Sequence, residues 1–295
     1  MHENFWVALS LTIFAGLSTG IGSSIAFFVK DRNNTKFLTL SMGFAAGVML
    51  YVSFMEIFPH ALSALDAINE GHDHEGHEHG GGSNRYLGVI AFFVGMLLVA
   101  LIDKLVPHDE NPHEIMSEAE KAEAAADVEA IKKGKEVSPA GKKRLMRIGL
   151  LTALALALHN FPEGIATFVS ALDSISMGVT IAIAIALHNI PEGIAVSMPV
   201  YYATGSRSKA FWYSFLSGVV EPVGAILAYF LLMPFMDSMM IAILLSGVAG
   251  IMVFIALDQL LPAAEEYGEH HISIYGMVAG MGVMAISLLM LNHSH

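Results

Sequence analysis

Eight stretches of the chain are apolar for long enough to cross a bilayer. In hydrocarbon the backbone has no water to bond, so only helices and closed barrels can span it. Runs of about 20 residues suit helices, whereas a membrane strand needs only about 10. The runs fall at about 5–29, 37–64, 86–106, 145–171, 177–202, 210–233, 239–261 and 272–291. The sequence therefore predicts an all-α polytopic membrane protein, with one transmembrane domain over residues 1–295. At 55% hydrophobic and 14% charged, the composition lies well outside that of ordinary soluble domains. The absence of cysteine excludes disulfides and thiolate ligands, so a metal ion would have to be held by His, Asn, Asp or Glu. A formal charge of −12 argues against nucleic acid as a partner, and Glu3 ahead of the first run argues against a cleavable leader.

The connecting segments sort by charge. Of the 15 Lys and Arg, only Arg85 falls on the side opposite the others. The positive-inside rule makes the basic side cytoplasmic, which predicts a multi-pass protein of the cell (inner) membrane with both termini outside the cytoplasm. The segment 107–144 is then a cytoplasmic loop. Within it, Ser117 and Glu120 form a capping box and Gly134 offers a stop, so a short helix is expected there, as a plain connector or a regulatory element. The segment 71–83 is an external loop in which His72, His74, His77 and His79 alternate with acidic residues before three glycines. Its composition supports either metal capture or a merely solvated loop.

A decapeptide is duplicated inside the apolar runs. Ala157-Leu-His159-Asn160-Phe-Pro162-Glu163-Gly164-Ile-Ala166 returns 29 residues later as Ala186-Leu-His188-Asn189-Ile-Pro191-Glu192-Gly193-Ile-Ala195. The copies lie on successive spans, so they run in opposite directions through the membrane. A weaker match relates Ala46-Gly47-Val48-Met49 and Pro59 to Ala249-Gly250-Ile251-Met252 and Pro262, 203 residues on. It reads either as chance similarity between Gly-, Ala- and Met-rich segments or as part of a 3+2+3 inverted repeat, with spans one to three paired to six to eight around a central fourth and fifth. Inverted repeats with Pro- and Gly-interrupted helices are typical of transporters.

The spacing within each copy makes a ligand set. On a helix His159 and Glu163 are i and i+4, while Asn160 and Glu163 are i and i+3, so imidazole, carboxamide and carboxylate share a face. His188, Asn189 and Glu192 repeat the set. Pro162 and Pro191 donate no backbone hydrogen bond and free the carbonyls of Leu158 and Leu187. Two facing copies would offer mixed N and O ligands suited to zinc, cadmium, iron(II), cobalt or manganese. A purely structural role, tying helices together, fits a single polar residue better than a duplicated set containing ionisable groups that each cost about 2.5–3.5 kcal/mol at mid-bilayer. Glu221, beside Pro222, adds a third intramembrane carboxylate; Glu56, His60 and Asp258 are candidate pathway residues. A transporter suits the repeat best, and His and Glu ligands make its metal binding pH-dependent. An intramembrane metal-dependent hydrolase and a non-transporting sensor are the alternatives, although the HExxH pattern of many zinc proteases is absent.

The segments HNFPEGIATF and HNIPEGIAVSMPVYYATGSR, together with GFAAGVMLYVSFMEIFP and the surroundings of Glu221, resemble the ZIP (Zrt/Irt-like protein) family of metal transporters in its bacterial branch. The resemblance covers all eight spans. It implies zinc, with related divalent cations, as the transported substrate and no separate cofactor. It also implies two adjacent metal sites, one using His159, Glu163, His188 and Glu192, the other Asn160, Glu163, Asn189, Glu192 and Glu221. Members of the family often form homodimers. Where relatives commonly carry an acidic residue after Asp258, this chain has Gln259.

Overall fold

The structure, a computed structural model, describes residues 3–29, 34–70, 84–105, 118–133, 137–232, 237–267 and 270–292. Among them are eight helices long and apolar enough to cross a membrane: Phe5–Phe28, Thr35–Ile68, Arg85–Lys104, Pro139–Asp173, Ile175–Thr204, Arg207–Leu231, Ser238–Glu266 and His270–Met290, called here the first to the eighth span. The described residues contain no strand.

Local chemistry sets several of the helix starts. Asn34, Ser174, Ser206 and Asp237 each accept a hydrogen bond from the backbone N–H three residues on, which satisfies a donor the helix itself cannot. The fourth span begins at Pro139 rather than at Leu145, where its hydropathy rises. Ser138 accepts from Gly141 N at 3.0 Å and Pro139 supplies a preset first turn. Arg144 and Arg147 hide this extra length from a hydropathy window. The expected helix in the 107–144 segment is present as Glu118–Lys132, though Ser117 and Gly134 lie outside the described residues. Asp127 on that helix accepts from Ser138 N at 2.7 Å, which ties it to the start of the fourth span. The segment 71–83, with His72, His74, His77 and His79, also lies outside the described residues.

In space the sequence blocks one to three and six to eight are not the packing units. Spans one, four, five and six pack on one another, and spans two, three, seven and eight form a second group. The contacts nonetheless keep a correspondence. If first is exchanged with sixth, second with seventh, third with eighth and fourth with fifth, the one–five contact maps onto six–four, and two–eight maps onto seven–three. The second and seventh spans also share a backbone irregularity, a π-helical turn at Ser53–Ile57 and at Ile255–Leu260. Each lies just ahead of the proline of the weaker sequence match, Pro59 or Pro262. A proline ring crowds the carbonyl four residues back and cannot bond it, so the turn widens there.

Candidate metal centre

The fourth and fifth spans run as continuous helices through Pro162 and Pro191, and the motif residues face each other where they cross. Glycines on both sides of each contact, Gly164 with Gly224 and Gly193 with Gly22, let the neighbouring helices approach closely. A Cβ at Gly164 would lie 2.1 Å from the Glu221 carbonyl oxygen, and one at Gly193 would lie 2.2 Å from that of Thr19. The sixth span is thereby drawn onto the fourth, and the first onto the fifth.

At this crossing His159 Nε2 meets Glu192 Oε1 at 3.0 Å, and His188 Nε2 meets Glu163 Oε2 at 3.5 Å. Each imidazole thus pairs with the carboxylate of the other motif copy. The two asparagines are anchored in the same paired fashion. Asn160 Nδ2 donates to the Ser217 carbonyl at 3.1 Å, and Asn189 Nδ2 donates to the Ala15 carbonyl at 3.0 Å. Asn189 also donates to Glu221 Oε1. All seven of these side chains are buried, with exposures of 0–3%.

The bonding leaves a residue of unused acceptors. Asn160 Oδ1, Asn189 Oδ1, Glu163 Oε1, Glu192 Oε2 and Glu221 Oε2 are buried without a hydrogen-bond partner among the described residues. Buried acceptors of this kind are costly, by about 1–3 kcal/mol each and more when charged. Oxygens on three neighbouring spans, with imidazoles among them, form the donor set that a borderline divalent cation takes. As the side chains stand, no group of three or more His, Asp and Glu among the described residues is gathered at metal-holding distance.

Glu56 and Asp258 are half-buried and His60 is exposed, and all three stand on the second and seventh spans, in the other helix group. Sequence reasoning missed the backbone carbonyls of Ala15 and Ser217, which orient the asparagines. Their signal was weak: each lies in a small-residue stretch, beside Gly16 and Gly218, where two helices touch.

Eight apolar helices around a buried cluster of carboxylates, carboxamides and imidazoles define a polytopic membrane protein of transporter type. The sequence profile of the ZIP zinc transporter family matches residues 4–288. The chain is 55% identical over 293 residues to a protein of Lysinibacillus sphaericus (strain C3-41) named zinc transporter ZupT, covering 99% of this chain and 100% of that one. A protein of the same name from Streptococcus mutans serotype c (strain ATCC 700610 / UA159) is 53% identical over 290 residues, covering 98% of this chain and 99% of the relative. The chain belongs to the ZIP family. That family comprises transporters rather than enzymes, which sets aside the hydrolase alternative.

Proposed function

We propose that the chain takes up zinc, and with it related divalent cations such as cadmium, iron(II), cobalt and manganese, into the cytoplasm through a two-metal centre between the fourth and fifth spans. The observation that carries this reading is the set of five buried oxygens without partners, contributed by Asn160, Asn189, Glu163, Glu192 and Glu221. The near full-length relatives named as zinc transporters support zinc as the first substrate. His159, Glu163, His188 and Glu192 would hold one ion; Asn160, Asn189 and Glu221 would join the two glutamates around a second. Metal is bound by neutral His and ionised Glu, so its loading is expected to depend on pH.

The basic ends of the spans face the cytoplasm in this reading, as the distribution of Lys and Arg requires. Ions collected outside, with the His72–His79 loop assisting and Glu56 and His60 on the way, reach the centre; Asp258 lies on the way out. Import is favoured by the inside-negative potential. A homodimer is the assembly expected from the family, and the mass of the purified protein in detergent tests it.

Uptake by proteoliposomes containing a zinc-sensitive dye decides the central claim. Glu163→Ala and Glu192→Ala are expected to abolish dye response while the protein remains folded. Either variant transporting at the parental rate would remove the proposed centre.

A further inference from the structure

The seam between the two helix groups is mostly apolar, but at its basic end polar contacts cross it. Arg144 of the fourth span pairs with Glu266 of the seventh at 2.8 Å, and Arg147 pairs with Asp103 of the third at 3.9 Å. Thr152 of the fourth span donates to Gln259 of the seventh at 3.2 Å, and the Tyr202 hydroxyl of the fifth donates to the Asn34 carbonyl at the start of the second at 2.8 Å. These are not loose surface pairs: the Arg144 and Glu266 side chains are 18% and 16% exposed, and those of Arg147 and Asp103 are 7% and 10%. A small cavity adjoins these contacts, lined by Asp103 itself and Ile102 of the third span, Leu151, Ala155 and Leu158 of the fourth and Gln259 of the seventh. Along the fourth span Arg144 is roughly 22 Å from His159, so the charge pairs stand well apart from the centre.

The internal repeat supplies a control. With the offset of 29 residues that relates His159 to His188, Arg144, Arg147 and Thr152 correspond to Asp173, Ser176 and Ile181. With the offset of 203 that relates Pro59 to Pro262, Glu266 and Gln259 correspond to Ser63 and Glu56. In the other halves of the two repeats the corresponding positions are thus an aspartate and a serine, and an isoleucine and a glutamate, none of them cationic. The Arg85–Asp66 pair at that end joins the third span to the second, inside one helix group, and does not cross the seam. The repeat makes the two ends alike in backbone, whereas these side chains make them unlike in charge.

We infer that Arg144 and Arg147, paired with Glu266 and Asp103, form a charge latch that holds the metal-bearing helix group closed against its partner group at the basic end. The latch rests on the transport reading only in needing the groups to move. A two-state equilibrium shifts by the difference in interaction between its states. Buried ion pairs present in one state alone bias it toward that state, and removing one partner leaves an uncompensated charge. The latch therefore sets how often the path from the centre toward the basic side opens, and an occupied centre must overcome it.

The absence of cysteine makes the test clean. Ala155→Cys places one thiol in the cavity beside the latch, where Ala155 is 3% exposed; Ala171→Cys places a control thiol in the core of the metal-bearing group, away from the seam. Reaction with a membrane-impermeant maleimide is followed in nanodiscs without added metal. Arg144→Gln or Glu266→Gln is expected to speed labelling at position 155 about tenfold, the size of a shift of one decade in the open population, with no change at 171. The charge swap Arg144→Glu with Glu266→Arg is expected to return it toward the parental rate. Unchanged labelling at 155 in both single variants overturns the latch. So does a rise at 155 and 171 together, which would mean general loosening, or a swap that labels as fast as the single variants. Because labelling needs no flux, a failure of Glu163→Ala to stop uptake would remove the proposed centre, and a parental protein without uptake the transport reading, without touching this result.

Discussion

The two helix groups divide the physical work. The group of spans one, four, five and six contains the buried glutamates, both motif histidines and both motif asparagines, and it bonds them to one another and to its own backbone carbonyls. The group of spans two, three, seven and eight contributes chiefly Met42, Met49, Val52, Val248, Met252 and Ile255 to the shared core, all with exposures of 0–2%. Directional bonds within the centre therefore stay inside one group, and the greater part of the seam is held by packing alone. In a bilayer, packing between helices gains nothing from water exclusion, since lipid tails are as apolar as Leu. A seam of this kind favours no single register strongly. The cluster's own bonds do not tie it to the other group, an arrangement that suits a transport site at a repeat interface better than a fixed structural one.

The largest expected difference between the groups is in flux. Glu163→Ala and Glu192→Ala should each lower zinc uptake by at least about 100-fold, the upper end of what loss of one metal-site interaction does. Ile255→Val, equally buried but in the other group, should cost about 0.5–1.5 kcal/mol of stability and leave uptake near the parental rate. Dye-loaded proteoliposomes measure the first and thermal unfolding the second. Comparable loss of uptake in both would dissolve the division.

A second comparison sets backbone contact against side-chain chemistry. Gly164→Ala adds a methyl that would lie 2.1 Å from the Glu221 carbonyl, where backbone rather than a flexible side chain stands in the way. The fourth and sixth spans must part, at about 1–3 kcal/mol, and Glu221 leaves Asn189. Thermal midpoint and uptake should fall together. A fall in uptake at an unchanged midpoint would show that the glycine matters for motion rather than for contact.

Much of this was legible beforehand, and the reasons are local. Apolar runs of bilayer length allow little besides helices, so the eight spans followed from hydropathy. Helical spacing within each copy let His159 with Glu163, and His188 with Glu192, be named as sharing a face before any coordinates; that the two faces meet is seen only in the structure. The division of the spans into two packing groups was not legible. Sequence order suggested blocks of three around a central pair, whereas the pairing of first span with fifth depends on where Gly193 lets the Thr19 backbone approach. Arg144 and Arg147 were counted only as charges that orient the chain. Their partners Glu266 and Asp103 lie more than a hundred and about forty residues away, and no local pattern announces such pairs.

The two asparagines sharpen the comparison inside the group of spans one, four, five and six. Asn160 holds one carbonyl, that of Ser217, whereas Asn189 holds the Ala15 carbonyl and Glu221 as well. Replacing either by Leu removes an unpaired oxygen from the centre, but only Asn189→Leu also strands a buried carboxylate. An unsatisfied buried acceptor costs about 1–3 kcal/mol, so Asn189→Leu should reduce uptake about tenfold more than Asn160→Leu in the same vesicles. Equal effects would mean that Glu221 does not depend on Asn189 for its placement.

The smallest effect is expected outside the bundle. The histidines from His72 to His79 alternate with carboxylates in a segment that the charge pattern places outside, where the expected contribution is to the local concentration of ions. Such a gain appears when metal is scarce and vanishes once the centre is saturated by ions from bulk solution. Deleting residues 72–79 should therefore raise the zinc concentration needed for half-maximal uptake by a few-fold and leave the maximal rate unchanged, in keeping with weak collection of ions by charge. A lower maximal rate with an unchanged half-saturation point would place the segment in the movement of the helix groups rather than in capture, because a site that only concentrates ions cannot limit the rate once ions are abundant.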